Sequence, residues 1–309
     1  MQDVPFQPVR GYRPLMGHAE AFEYISGPHP RAFDPEPARG LLAERMAASP
    51  EGHAPVVSSE ILSGNPFRGG QDGPETARRL QRIAPGAQIL VTIREQVSMA
   101  ASMYMQYVAR GGSLPAERFF AGPLDNGFQI FDPVHLECHR LIGLCRDPFG
   151  PDHVHVLTFE QFRAAPERFV AAIARIAGQP EAPASPALAA ESGRNVSSPE
   201  YAVPFLRRLD HFRSGPVSPD PVFDLGTGAR LAYRGIRRTA RAEPIRRLAR
   251  HRHPVRDFGA RRFAGRFAES NRALAKLCPD LDLRGYRGIA PGTAGAEAAE
   301  ALRPVPAGH

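Results

Sequence analysis

Arg94 and Ser102, eight positions apart, stand where a strand is expected to give way to a helix. Gln88-Ile89-Leu90-Val91-Thr92-Ile93 is a short apolar run rich in β-branched residues, the pattern of a buried parallel strand. Helix formers run from Val97 to Arg110, and Gly111-Gly112 stops them. Ligands of open α/β sheets bind beyond the carboxyl ends of the strands. A helix amino terminus there offers N–H groups and a positive dipole end to an anion. Arg94 adds a planar donor fork that matches phosphate geometry. Ser102, about two turns into the helix, is placed to aim its hydroxyl at the same anion. The same spacing also allows Arg94 to pair with a carboxylate and Ser102 to pack within the helix. A third candidate is Glu60, closing a strand expected over Ala54-Pro55-Val56-Val57-Ser58-Ser59-Glu60. Desolvation at the ligand edge of a sheet would raise its pKa into the range of a general base. The alternative is a carboxylate that caps the next turn or pairs with Arg68.

Strand-like runs alternate with helical ones, which predicts βαβ units and a mainly parallel sheet flanked by helices. Residues 1–35 are rich in Pro and Gly and read as irregular, followed by a helix over Glu36–Ala48. A helix is expected over Pro74–Ile83, another over Asp132–Arg146 with Pro133 in its first turn, and a strand over His153–Phe159. A helix over Ala165–Ala177 closes at Gly178, a Pro-rich linker covers 179–186, and a further helix is expected over Arg262–Leu277. The domain reading is 1–53 as an irregular segment with a helix, 54–289 as one α/β domain, and 290–309 as a disordered tail.

The 309 residues carry a formal net charge of +7, and Lys276 is the only lysine among 39 basic residues. Such a balance suits an anionic cofactor or substrate, a nucleic acid or an acidic surface. No run approaches the roughly 18 apolar residues of a membrane span, and the first residues lack the regions of a signal peptide. A cytoplasmic protein is expected. Cys138, Cys145 and Cys278 suggest no disulfide framework. Cys138 and Cys145 share a helix face and are expected in the core. His135 and His139, four apart, could mimic a metal pair, but no third ligand has a suggestive spacing, so no metal is expected. Twelve arginines lie between Arg234 and Arg266 against Glu243 and Asp257. They read as a solvated face or as an attractor of an acidic acceptor. Interleaved aromatics are few, which argues against a stacking platform for nucleic acid.

Arg94, Ser102 and then Tyr104 resemble the 3′-phosphate signature of the PAPS-dependent sulfotransferases. Glu95-Gln96 stands here in place of the family's Asn-Pro. Four further segments resemble the family in the same order. Phe149-Gly150 precedes a strand and Thr158-Phe159-Glu160-Gln161-Phe162, where Phe159 replaces the usual tyrosine. Gly193-Arg194-Asn195-Val196-Ser197 resembles a late loop over the nucleotide, and residues 267–286 resemble the C-terminal helix with its Gly-Tyr end. The strand ending at Glu60 lies where the family places its base. The resemblance covers roughly residues 54–288. It implies a P-loop-like fold, PAPS as co-substrate, transfer of a sulfuryl group to a hydroxyl of a carbohydrate or small metabolite, Arg94, Ser102 and Arg194 as nucleotide ligands, and Glu60 as base. One departure is large: the family's Lys-x-Gly/Ala-Ser/Thr-Thr loop, which cradles the 5′-phosphosulfate, has no counterpart before Val56. The first strand and loop are therefore expected to be missing, the chain reading as one that starts at an internal methionine or has lost its first unit. A non-catalytic remnant that binds a nucleotide or partner is the alternative, and a basic nucleic-acid-binding protein the third.

Overall fold

The computed structural model describes residues 11–121, 131–180, 198–219, 221, 223–249 and 251–288. Their elements, in chain order, are β1 (Tyr12–Met16), α1 (His18–Ala21), α2 (Glu36–Ala47), β2 (Ala54–Val57), α3 (Gly73–Ile83), β3 (Ile89–Ile93), α4 (Gln96–Ala109), α5 (Ala116–Phe119), α6 (Cys138–Phe149), β4 (Val154–Thr158), α7 (Phe159–Ala164), α8 (Pro166–Ile176), α9 (Val203–Leu209), α10 (Gly226–Ala240), α11 (Glu243–Leu248), α12 (Pro254–Arg262) and α13 (Ala268–Leu277). They form two compact units, one within Met1–Arg94, Pro133–Ala189 and Ala268–His309, the other within Glu95–Asp132 and Ala190–Phe267. The fold is α/β with parallel pairing, as the sequence predicts. The predicted tail 290–309 and the linker at 181–186 lie outside the described residues.

In the first unit, β1 and β2 run parallel with Tyr12 opposite Ala54, and the register slips between Pro14 and Met16. Pro14 has no N–H for the ladder, and a proline inside an apolar run argues against a strand. That is why the segment read as irregular. Met16, Ile25, Phe33, Ala38 and Ile83 make the core beside this pair. Arg79, buried, holds the intervening chain: its Nη1 donates to Ile25 O at 2.6 Å and its Nη2 to Pro28 O at 2.9 Å.

β3 and β4 also run parallel, from Ile89 opposite Val154 to Ile93 opposite Thr158. Val91, Ile93 and Val154 pack with Cys138, Ile142, Phe149 and Leu274 from α6 and α13. Leu90 and Thr92, on the other face, are exposed. The expected fully buried strand is therefore half-buried. The single central sheet is also corrected: the described strands form two separate two-stranded sheets. Pro14 and Pro55 each remove a donor from the β1–β2 pair, which limits its extension by further strands.

The helix expected over Asp132–Arg146 is a 3-10 turn, Pro133–Leu136, followed by α6. His135 and His139 thus lie on different elements. His139 Nδ1 is 2.8 Å from Ser270 Oγ. The His135 ring lies over Gly70, whose φ is +66° and where a Cβ would meet Nδ1 at 2.1 Å. Cys138 and Cys145 both face the core, as expected, and burial pushes the Cys145 thiol up to about 11.

The second unit is helical and built on aromatic contacts. Tyr104 and Tyr107 of α4 pack on Phe119 of α5, and Phe120 packs edge-on against Phe131 and Phe263. α12 approaches α4 at Gly259, where an added Cβ would lie 3.5 Å from Val97 Cγ1. The helix expected over Arg262–Leu277 breaks at Gly265, whose φ of +75° no helix residue adopts. Among the described residues no helix is long and apolar enough to cross a membrane.

Candidate functional site

Arg94 is the first residue beyond β3, and the register of the pair sets it level with Phe159, the first beyond β4. Its guanidinium carbon stands 4.9 Å from the centre of the Phe159 ring. Phe159 is itself fixed by a reciprocal cap at the start of α7. Thr158 Oγ1 accepts from Gln161 N at 3.1 Å, and Gln161 Oε1 accepts from Thr158 N at 2.9 Å. Glu160 Oε2 accepts from the Tyr286 hydroxyl at 3.1 Å, which ties this turn to the segment after α13. The carboxyl edge of β3–β4 therefore presents a half-buried arginine on an aromatic plate whose backbone is locked. Stacking uses the face of a guanidinium, whereas oxyanion recognition uses its edge, so the two are compatible.

The second unit takes up the chain at Glu95. The helix amides expected to face an anion are already engaged. Glu95 is the N-cap of α4, with Oε1 accepting from Val97 N at 3.0 Å and Oε2 from Ser98 N at 2.8 Å. A carboxylate satisfies the dipole end, which corrects the expectation of open N–H groups. Ser102 is half-buried on α4. Tyr104, part of the sequence signature, is a core residue, 1% exposed, and its hydroxyl donates to Leu114 O at 3.0 Å. Burial raises its pKa. Arg194 and its loop lie outside the described residues.

At the β1–β2 pair, β2 ends at Val57, and Glu60 is exposed at the start of a 3-10 turn, Glu60–Ser63. The desolvation argument for Glu60 as base thus fails at its first step. The same edge brings in a residue that sequence reasoning missed. His18 Nδ1 lies 2.8 Å from Ser59 Oγ, with both residues half-buried. They are 41 positions apart, and only the parallel pairing of β1 with β2 makes them neighbours. The turn after β1 also holds Glu20. Its Oε2 accepts from Gly17 N at 2.9 Å, and Arg45 grips both oxygens at 2.6 and 2.8 Å. Hydrogen bonds from the Arg45 guanidinium and the Gly17 amide hold its pKa down to about 2. At this turn the Gly17 amide is taken up by a carboxylate that is itself neutralised by Arg45, so that amide is not open to a phosphate.

No family model matches the chain, and no curated protein matches it either. A solved sulfotransferase is similar. It comes from Alicyclobacillus acidocaldarius, at 20% identity and a TM-score of 0.42, covering 60% of this chain and 80% of that one. An overlap at that score assigns the chain to no family.

Proposed function

We propose that the chain is a sulfotransferase-type protein that binds PAPS through Arg94 and serves a carbohydrate or small-metabolite hydroxyl in the cytoplasm, with residues 54–289 as its working domain. The observation that carries the reading is the arginine stacked on Phe159 at the carboxyl edge of a parallel strand pair. A guanidinium over that ring has the planar donor fork and charge for a 3′-phosphate. Ser102 and Arg194 join it as ligands on the strength of the sequence signature. In the transfer, the acceptor oxygen forms a bond to sulfur as the bond from sulfur to the 5′-phosphate oxygen breaks, and a base takes the hydroxyl proton. Glu60 is the candidate base, and His18 is hydrogen-bonded to Ser59, the residue directly before it.

A second reading has a specific observation in its favour. Glu95 on the α4 amides puts a carboxylate where a phosphate next to Arg94 would gain most from donors. This favours a non-catalytic member that keeps a nucleotide through Arg94 alone. Calorimetry with PAP separates binding from no binding, and transfer of labelled sulfate from PAPS separates enzyme from remnant. Arg94→Ala should weaken PAP binding roughly 10–150-fold, the scale of a lost charge-assisted hydrogen bond of about 1.5–3 kcal/mol. Absence of PAP binding by the unaltered chain would end both readings.

A further inference from the structure

The basic block contains one ordered feature that the sulfotransferase reading does not use. Arg234, Arg237, Arg238 and Arg241 recur at spacings of three, one and three along α10 and its C-cap, which places them on one helix face. The flank beside Arg237, with Ala229, Tyr233 and Ala240, is buried. The four arginines and Ala242 line an open cleft of about 490 Å³. Among the described residues no carboxylate pairs with Arg234, Arg237 or Arg238. The two nearest in the sequence among the described residues are engaged elsewhere: Glu243 accepts from Arg247 at 2.8 Å and also binds Arg246, and Asp224 accepts from Gly226 N at 2.7 Å. Arg237 is half-buried, and its Nε is buried without a hydrogen-bond partner.

A bland account is that these arginines complement the negative end of the α10 dipole. That effect is confined to the last turn, whereas Arg234 lies six residues before the end of α10. Like charges at i, i+3 and i, i+4 oppose the helix that carries them. A buried Nε with no acceptor adds to that opposition. The repulsion among the four guanidinium groups is relieved by an acceptor that brings several negative charges into the cleft. Guanidinium edges suit groups with paired oxygens. The lining has no aromatic ring on which a base or a sugar face would stack.

From this we infer that the α10 cleft is a binding site for a small multivalent oxyanion, a ligand with two or more phosphate or sulfate groups on a non-aromatic scaffold. The inference stands apart from the PAPS reading, since it uses none of its residues. The test is calorimetry on the full chain at 150 mM salt with inorganic tripolyphosphate, a trisulfated disaccharide and inorganic phosphate. At least one multivalent probe should bind ten or more times tighter than inorganic phosphate, and which one it is distinguishes a phosphate from a sulfate source. R237Q/R238Q should weaken that binding at least tenfold, and R94A should leave it unchanged. If R237Q/R238Q fails to fold, R234Q/R238Q, at two exposed positions, takes its place. A charge-retaining R237K/R238K variant should recover only part of the affinity, because lysine lacks the planar fork. Equal binding of inorganic phosphate and tripolyphosphate would overturn the inference. So would loss in R94A, an unchanged affinity in the glutamine variants, or a mixed-sequence oligonucleotide binding more tightly than both multivalent probes.

Discussion

What lies beneath Arg94 decides what it can do. With Phe159 beneath it at 4.9 Å, the guanidinium has less freedom left to lose when an oxyanion arrives. The candidate base is less well placed. If Glu60 takes the proton, Glu60→Gln should slow sulfate transfer roughly 100-fold or more, the usual scale for a lost general base, with PAP affinity kept. An unchanged rate in labelled-sulfate assays would pass the role to His18 or to no residue on this edge. Asp210 supports a separate prediction. It is 1% exposed, and desolvation outweighs the Arg213 bond to push its carboxyl up to about 6. Its folded pKa lies above the ordinary 3.8, so the stability it contributes is complete below about pH 3.8 and is lost as pH rises through about 6. The loss is on the order of 2–3 kcal/mol. Denaturant titrations of Asp210→Asn should lack this fall between pH 4 and 6.5, and a fall of equal size in the variant would rule Asp210 out as its source. The position of Arg94 was legible from the switch between strand and helix periodicity. The engagement of the α4 amides was not, because Glu95 reads equally well as a surface carboxylate until its side chain is seen turned back on Val97 and Ser98. No local signal could have joined His18 to Ser59.

Elements with a clean period came through within a residue or two: α2, α3, β3, α4 and α8 all lie where their patterns place them. Those that failed contain a proline or a glycine whose consequence depends on context. Pro14 hid β1, and Gly265 split one long apolar pattern into two helices. The end of α4 shows the opposite case, where glycine was read correctly but for half the reason. Gly111 has φ +99° and closes the helix as a left-handed residue. Gly112 is needed for space, since a Cβ there would lie 2.2 Å from the Tyr107 ring. That ring is anchored on both sides, packed on Phe119 and accepting Leu114 N at its hydroxyl, so it cannot yield freely. Gly112→Ala should therefore destabilise the protein by about 1–3 kcal/mol, the range for overpacking a filled core. Chemical denaturation checks this, and a loss under about 0.5 kcal/mol, the level of an ordinary surface change, would show that the ring moves aside.

At the scale of the molecule, the chain passes from one unit to the other and back, and no sequence pattern marks the crossings. Arg94 ends a segment of one unit and Glu95 begins the other, and the crossing recurs at Asp132–Pro133, Ala189–Ala190 and Phe267–Ala268. Periodicity reports what a segment buries, not which partner buries it, so a single α/β domain over 54–289 was the natural reading. Parallel pairing across such an arrangement sets a schedule. Ile89 and Val154 are partners 65 positions apart. On a ribosome adding about 5–20 residues each second, β3 waits roughly 3–13 s before its partner has been made. During that interval Ile89, Val91 and Ile93 have neither a strand beside them nor the α6 and α13 side chains that later cover them. A nascent chain at this stage exposes a β-branched segment of the kind that chaperones hold and that neighbouring chains can capture.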